Sequence, residues 1–319
     1  ILVYSFERGV SSFIIQHQSI YISAKEIINT VNEKIHEYDS EYSKKGKIFG
    51  KFFTELASKT NMKLDIFNLN YDTWVEQTLC DYNDGYVEIP GYENKMKRFD
   101  IAEYLKNDGR HTISHLHGQI NFEYPQFNAS DINRYAFQET CNTLYKYNDY
   151  SAAKSFRERS ARSSDHTQSG ENLHRTNIVT GLMKTDKLLW NPLIMYHYRL
   201  ADSLISNKRL ILVGYGFSDL YINNLLSQYN AMHFNNRKQI MIDYISDEDW
   251  QPCVEHPFGP GPKAQFTNLM FRDDYWVTKH PFEPKKPVYY STDEMARIYI
   301  NGFSDVVKNH LSEVIEFIS

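Results

Sequence analysis

The sequence predicts an α/β fold built on a mostly parallel sheet, flanked by helices and carrying helical and loop insertions. Three observations predict it. Short apolar runs of strand length alternate with segments whose apolar residues recur at helical spacing. The runs stop at polar or glycine-bearing turns, and two of these turns lead straight into a helix-like segment. The chain of 319 residues, 41% hydrophobic and 24% charged, is also long and apolar enough to bury a substantial core.

The elements follow in order. After a short strand or turn at Ile1–Phe6, residues 1–62 read as mainly helical. Ile22, Ile27, Ile28, Val31 and Ile35 hold helical spacing, Asp39–Lys47 reads as a polar loop, and Phe49, Phe52, Phe53 and Leu56 give a second amphipathic helix. Leu64–Asn70 is the first clear strand; it passes through Tyr71-Asp72-Thr73 into a helix over Trp74–Leu79, with Asp72 or Thr73 as the cap. Residues 80–110 contain Asp84-Gly85 and Pro90-Gly91 and are expected to be dominated by turns. Thr112–His117 is the second strand, ending at Gly118. Residues 121–177 are expected to be polar and irregular, with a mobile loop around Ser160–Gly170 and a helix near 129–147; a further helix is expected near 193–206.

Arg209–Val213 is the strongest strand and is expected to lie at the sheet centre, buried on both faces. Gly214–Asp219 leads from it into a helix with Ile222, Leu225 and Leu226, and Gln239–Ile245 is another strand. Residues 251–290, rich in Pro, Gly and aromatics, read as an insertion or covering flap. Ser291-x-x-Glu294 reads as a capping box for a helix through Met295 and Ile298, broken near Asn301-Gly302 and resumed to Ile318. The expected organisation is one α/β domain over 1–250, with helical insertions near 10–60 and 121–208, and a segment 251–319 packed on it.

Composition excludes several functions. A net charge of -5, from 35 Lys+Arg against 40 Asp+Glu, does not suit direct nucleic-acid binding. The loose basic cluster Lys154, Arg157, Arg159, Arg162 and Arg175 reads as a solvated loop. The 3 cysteines, Cys80, Cys141 and Cys253, are odd in number and scattered, which fits a reducing compartment and cannot supply a four-cysteine zinc ribbon. No run approaches the ~20 apolar residues of a membrane span, and no signal peptide is seen, so the expected location is cytoplasmic.

The candidate chemistry sits at strand ends: Asn70 and Asp72, then His117 and Gly118, then Gly214–Asp219. In a doubly wound sheet the carboxyl ends of parallel strands share one edge, so these groups can converge. Each also has a plain structural reading. Asn70 and Asp72 could form an Asx-turn and a cap, His117 could be a hydrogen-bonded core histidine, and Gly214-Tyr215-Gly216 could be a tight turn. His115-x-His117 would put two imidazoles on one strand face, an arrangement able to ligate a metal, yet no nearby cluster completes the ligand set.

Taken in order, Asn68-Leu69-Asn70-Tyr71-Asp72, Leu116-His117-Gly118 and Gly214-Tyr215-Gly216-Phe217-Ser218-Asp219-Leu220-Tyr221-Ile222-Asn223 resemble the motif series of the divergent bacterial branch of the sirtuin-like superfamily. Ile178-Val179-Thr180-Gly181 with Lys184-Thr185 is similar to that branch as well, and the resemblance covers about residues 63–226. It implies a Rossmann-like sheet that binds NAD and cleaves its nicotinamide–ribose bond. By the resemblance, Asn70 inherits the residue that places the attacking group beside the nicotinamide ribose. His117 inherits the general base, and Asp72 the support of the nicotinamide pocket. Gly118, Gly214, Tyr215, Gly216, Ser218, Asp219 and Asn223 inherit positions along the dinucleotide.

The residue types suit that reaction. Loss of neutral nicotinamide leaves an oxocarbenium-like ribosyl centre, which needs a positioned nucleophile and a base that exchanges protons near neutrality. Imidazole is the residue type for the second task. A neutral amide can orient water without competing as a nucleophile. Two departures stand out. The family's glycine-rich phosphate loop is absent and is expected to precede Ile1; the alternative is a degenerate loop at Glu7-Arg8-Gly9-Val10-Ser11-Ser12, where Glu7 and Arg8 would obstruct a phosphate. Asn68 also stands where the family carries threonine.

Protein-deacylating sirtuins usually carry paired Cys-x-x-Cys motifs, which this chain lacks. The resemblance therefore implies a zinc-free NAD hydrolase of bacterial anti-phage defence, an effector of abortive infection that depletes NAD. Its implied partners are NAD, further copies of itself, and a companion such as a nucleic-acid motor or a phage-sensing domain, with no membrane. Residues 251–290 and the C-terminal helix are candidate contact surfaces. Two other readings stay open: a non-catalytic module binding NAD or ADP-ribose, and an NAD-dependent deacylase or ADP-ribosyl transferase.

Overall fold

The computed structural model describes residues 14–42, 46–93, 95–124, 143–159, 164–166, 172–174, 176–179, 188–233, 236–246, 286–291 and 293–319. Several expected features lie outside them: the opening strand at Ile1–Phe6, the possible loop at Glu7–Ser12, Thr180–Thr185, most of 251–290, and Cys141 and Cys253. The chain divides into two compact units, Ile1–Gly50 with Lys63–Arg199, and Lys51–Met62 with Leu200–Ser319. Parallel strand pairing with helices between the strands makes this the α/β, Rossmann-like architecture that the sequence predicts.

In the first unit, α1 (Ile14–Ser40) extends beyond the Ile22–Ile35 spacing that predicts it; α2 (Lys47–Thr60) follows, most of it in the second unit. A three-stranded parallel sheet then brings together β1 (Asp65–Asn68), β2 (Tyr82–Asn83) and β5 (His111–His115) in the order β1-β5-β2. Its register pairs Asp65 with Thr112 and Asn68 with His115. α3 (Trp74–Thr78) connects β1 to β2.

The segment 80–110 is more ordered than its turn signals suggested. β3 (Tyr86–Glu88) and β4 (Met96–Phe99) form an antiparallel hairpin around Pro90-Gly91, and α4 (Ile101–Tyr104) follows, capped by the Asp100 carboxylate. The turn residues mark the hairpin correctly; the strands between them are too short to stand out. β6 (Phe122–Glu123) and β7 (Tyr145–Tyr147) complete a sheet of order β3-β4-β7-β6. Residues 145–147 are thus strand, against the helix expected near 129–147, because they pair with β4; residues 129–142 lie outside the described set. α5 (Tyr150–Arg159) and the pair β8 (Ser164–His166) with β9 (Asn172–His174) follow, the pair falling in the region expected to be irregular. On α5, Lys154 pairs with Glu33 at 2.8 Å.

The aromatic-rich composition has a direct structural use. Tyr86, Phe99, Tyr104, Phe122 and Tyr196 are buried and stack edge-on or tilted, with ring centroids 5.2–5.7 Å apart. Buried tyrosine stabilises a core only if its hydroxyl finds a partner. Here Tyr86 donates to the Leu144 carbonyl, Tyr196 donates to the Asp84 carbonyl, and Tyr104 pairs with Ser114 Oγ at 2.7 Å.

α6 (Leu193–Ser206) begins at the expected place, after the cis bond Asn191-Pro192. The second unit continues with β10 (Arg209–Val213), α7 (Leu220–His233), β11 (Lys238–Ile242), β12 (Val288–Tyr290) and β13 (Ala296–Tyr299). Their order is β10-β11-β13-β12, parallel except for β12 against β13. Two expectations fail here. β10 is an edge strand among the described residues, with Val213 39% exposed; the central buried strand is β11, whose Gln239–Ile242 are buried between β10 and β13. An apolar run reports a strand's tolerance for burial, not its neighbours.

The supposed capping box is instead the turn of the β12–β13 hairpin. Glu294 takes φ +59, the Asp293 side chain accepts from Met295 N–H at 3.0 Å, and Ala296–Tyr299 extends beside β11. The helical chain starts only after Gly302, as α8 (Phe303–Asp305), a π-helical turn (Val306–His310) and α9 (Leu311–Ile318). α9 buries Leu311, Val314, Ile315 and Ile318, and Phe303 meets Phe52 of α2 with centroids 5.0 Å apart. Among the described residues, no helix is long and apolar enough to cross a membrane.

Candidate functional site

The first unit builds one turn at the end of β1. Asn68 Oδ1 accepts from the Asn70 N–H at 2.9 Å, and Asp72 Oδ1 accepts from the Trp74 N–H at 3.0 Å. Two Asx-type turns in succession therefore swing the chain out of β1 and into α3. Asn70 is left exposed at the apex. Thr73 occupies the N-cap position, yet its side chain does not cap α3; its hydroxyl and N–H both go to the Asp39 carboxylate of α1, at 2.6 and 2.8 Å. Asp72 is half-buried, and burial raises its carboxyl above the usual range, while the Trp74 N–H and His115 act the other way.

A second turn forms at the end of β5. The strand stops at His115, two residues earlier than expected, so His117 lies in the turn itself, 7% exposed. Backbone bonds lock the two turns together: Leu116 N–H donates to the Asn68 carbonyl at 2.9 Å and Ile120 N–H to the Tyr71 carbonyl at 3.0 Å. A third segment closes over them. Val179 N–H donates to the His117 carbonyl at 2.7 Å, Tyr71 OH donates to the Val179 carbonyl at 3.2 Å, and Gly118 bridges Ile178. Gly118 takes φ +86, and a Cβ there would lie 2.1 Å from the Asn177 carbonyl oxygen, so only glycine fits. Asn177 is pinned by a reciprocal amide pair with Asn32 of α1 at 2.8 and 3.3 Å, and donates to the Gln119 carbonyl at 3.1 Å. Asn32 and Asn177 are both fully buried.

Beneath these turns lies a buried charged cluster that the sequence did not reveal. Glu76 Oε1, on α3, is 2.8 Å from His115 Nε2 and 3.3 Å from Lys146 Nζ, and it also accepts from the Gln119 side-chain amide. Lys146, on β7, pairs with Asp84 at 2.6 Å and sits 5.6 Å from the Tyr82 ring centroid. The positive Lys146 and the His115 ring hold Glu76 well below the usual carboxylate range despite its burial. Asp84 and Glu76 in turn hold Lys146 well above the usual ammonium value. His115 thus points to a carboxylate rather than joining His117 in a metal site. Among the described residues, no group of three or more His, Cys, Asp or Glu could hold a metal ion.

The third motif belongs to the second unit. Gly214 has φ +60 and follows β10; Gly214, Gly216 and Ser218 are exposed. A Cβ at Gly214 or Gly216 would meet nothing within 4 Å among the described residues, which leaves room for a ligand against the backbone. The other members are occupied within the loop. Tyr215 is buried and its hydroxyl donates to Asn223 Oδ1 at 2.8 Å; Asn223 Nδ2 donates to the Phe217 carbonyl at 2.8 Å, bracing Phe217 at φ +52. Asp219 Oδ1 caps α7, accepting from the N–H groups of Tyr221 and Ile222 at 3.1 and 3.3 Å. Tyr215, Asp219 and Asn223 therefore shape this loop, while its open backbone is at Gly214 and Gly216.

A family model described as SIR2-like domain matches residues 65–256, a span that begins with β1 and contains all three motifs. No curated protein matches the chain.

Proposed function

The chain belongs to the SIR2-like family, whose members are often NAD-dependent enzymes, and from that premise we propose that it hydrolyses NAD to nicotinamide and ADP-ribose. The observation that carries this reading is the backbone lock between the Asn70 turn and the His117 turn, Leu116 N–H to Asn68 and Ile120 N–H to Tyr71. It holds a neutral amide, suited to orienting water, and an imidazole, suited to taking its proton, on adjacent strand ends.

In this reading Asn70, exposed at its apex, orients a water molecule toward the ribosyl carbon. A carbon–oxygen bond to that water forms as the carbon–nitrogen bond to nicotinamide breaks, and nicotinamide leaves with the bonding pair. His117 takes the proton lost by the water. Asp72 supports the nicotinamide end, and Gly118 allows the close packing that fixes His117. In the second unit, Gly214, Gly216 and Ser218 offer exposed backbone and hydroxyl groups to a dinucleotide. The open space at both glycines is the feature that fits such a ligand.

Hydrolysis is favoured over acyl-lysine chemistry because the chain has 3 cysteines and no paired Cys-x-x-Cys motif. The biological role that goes with this reading is NAD depletion in bacterial anti-phage defence, with activity controlled by self-assembly or a companion protein. The test is product analysis. Incubation of NAD with the protein in its native assembly should release nicotinamide and ADP-ribose in equal amounts. Retention of intact NAD bound to the protein, with no product, would replace this reading with a binding module.

A further inference from the structure

Glu76 has no part in the proposed chemistry, yet it occupies an unusual place. A buried carboxylate costs several kcal/mol in lost hydration unless it is paired, and a well-packed apolar side chain would often do as well for stability. Buried ionic groups are better attested as devices that fix one arrangement. The partners of Glu76 suit such a role. His115 and Gln119 flank His117 on either side, each two residues away, and both meet Glu76 Oε1. Glu76 itself rides on α3, the helix that the Asn70–Asp72 turn opens. A single carboxylate therefore grips both shoulders of the His117 turn and attaches them to the element that follows Asn70.

We infer that Glu76 is a positioning residue whose carboxylate, gripping His115 and Gln119, fixes the His117 turn relative to the Asn70 turn. The inference rests on the reading of Asn70 and His117 as the reacting pair. Lys146 supports the grip from the far side, tied to Glu76 at 3.3 Å and to Asp84 at 2.6 Å. Burial opposes both charges, but the pull of His115 and Lys146 on Glu76, and of Asp84 and Glu76 on Lys146, outweighs it and keeps both charged across the neutral range. Glu76 Oε2, His115 Nδ1 and Gln119 Oε1 are buried without a hydrogen-bond partner among the described residues, so the cluster is not optimised there for hydrogen-bond count.

The test uses the full chain and two readouts, amide hydrogen exchange and steady-state NAD cleavage. The N–H groups of Leu116, Gly118 and Ile120 are the reporters, because each makes a turn-locking backbone bond. In Glu76→Ala they should exchange at least about tenfold faster while amides elsewhere match the parent, since a locally loosened segment opens more often. The kcat for NAD should fall by at least about tenfold with KM within about twofold, the signature of misplacement rather than lost binding. Glu76→Gln keeps an acceptor at the same reach and should restore kcat to within about threefold of the parent, as a retained hydrogen bond would. Gln119→Ala removes one shoulder without altering charge; it should show the same pattern more weakly, and it carries the test if Glu76→Ala does not fold.

Parent-like exchange at the three reporters in both variants would overturn the inference. So would equal kcat losses in Glu76→Gln and Glu76→Ala. If the parent itself cleaves no NAD, the functional reading fails, and the exchange readout alone decides whether the grip exists.

Discussion

The N–H of Leu116 donates to the carbonyl of Asn68 at 2.9 Å, tying the turn that bears His117 to the strand end that bears Asn70. Both partners are backbone groups. The relative placement of the two candidate side chains is therefore set by main-chain bonds and by what surrounds them, rather than by the side chains themselves. The fold should be sensitive at the surrounding positions and comparatively tolerant at the exposed Asn70.

Gly118 and Gly216 separate these effects. At Gly118 an added methyl would strike the Asn177 carbonyl in a left-handed backbone position. Gly118→Ala should cost about 2 kcal/mol or more in urea unfolding. Gly216 has open space and no positive φ, so Gly216→Ala should stay within about 0.5 kcal/mol of the parent. If the dinucleotide lies there, the same substitution should raise the KM for NAD.

The Asn32–Asn177 amide pair should behave as one unit. Either Asn32→Ala or Asn177→Ala strands a buried amide and is expected to cost about 1–3 kcal/mol. The double variant should cost less than the sum of the two, as measured by a double-mutant cycle. Additive losses would mean that the pair contributes no coupling.

Lys146 compensates two buried carboxylates, Glu76 and Asp84. Lys146→Met leaves both without their cation and should destabilise the fold by about 3–5 kcal/mol. Adding Glu76→Gln should recover part of that loss, because one of the stranded charges is then gone. No recovery would place the cost in packing around the lysine stem.

The same cluster gives a pH prediction with a definite sign. The folded pKa of Glu76 lies below its unfolded value of ~4.3, so its stabilising contribution is complete above about pH 5 and is lost as pH falls through the folded value. Urea unfolding of the parent and of Glu76→Gln should therefore show a stability gap that narrows as pH drops from about 6 to about 3. For Lys146, raised above ~10.4, the contribution is complete below that pH and is lost only as pH rises through the folded value. A gap unchanged into acid would contradict the assignment of Glu76 as the paired ion.

The strands β1, β5, β10 and β11 and the helices α2, α6 and α7 were legible in the sequence because each combines an apolar pattern with a turn or cap at its edge. The motif-bearing turns were legible for the same reason. β13 was not, since Ser291-x-x-Glu294 has the form of a helix start, and only the positive φ at Glu294 and pairing with β11 turn it into a hairpin. The exposure of β10 was hidden because composition does not reveal which strand lies next to it. Glu76, Asp84, the His115–Gln119 stretch and Lys146 are separated along the chain, and a carboxylate on a short helix looks the same whether it faces water or a core. The alternation His115-x-His117-x-Gln119 was the one trace of that cluster in the sequence.

The most direct test of the central claim is NAD hydrolysis by the parent, Asn70→Ala and His117→Ala, each in the native assembly and each shown to be folded. The account predicts stoichiometric nicotinamide and ADP-ribose from the parent and at least a ~100-fold slower rate from both variants, the usual scale for loss of a positioning group or general base. Hydrolysis at the parental rate by either variant would contradict it.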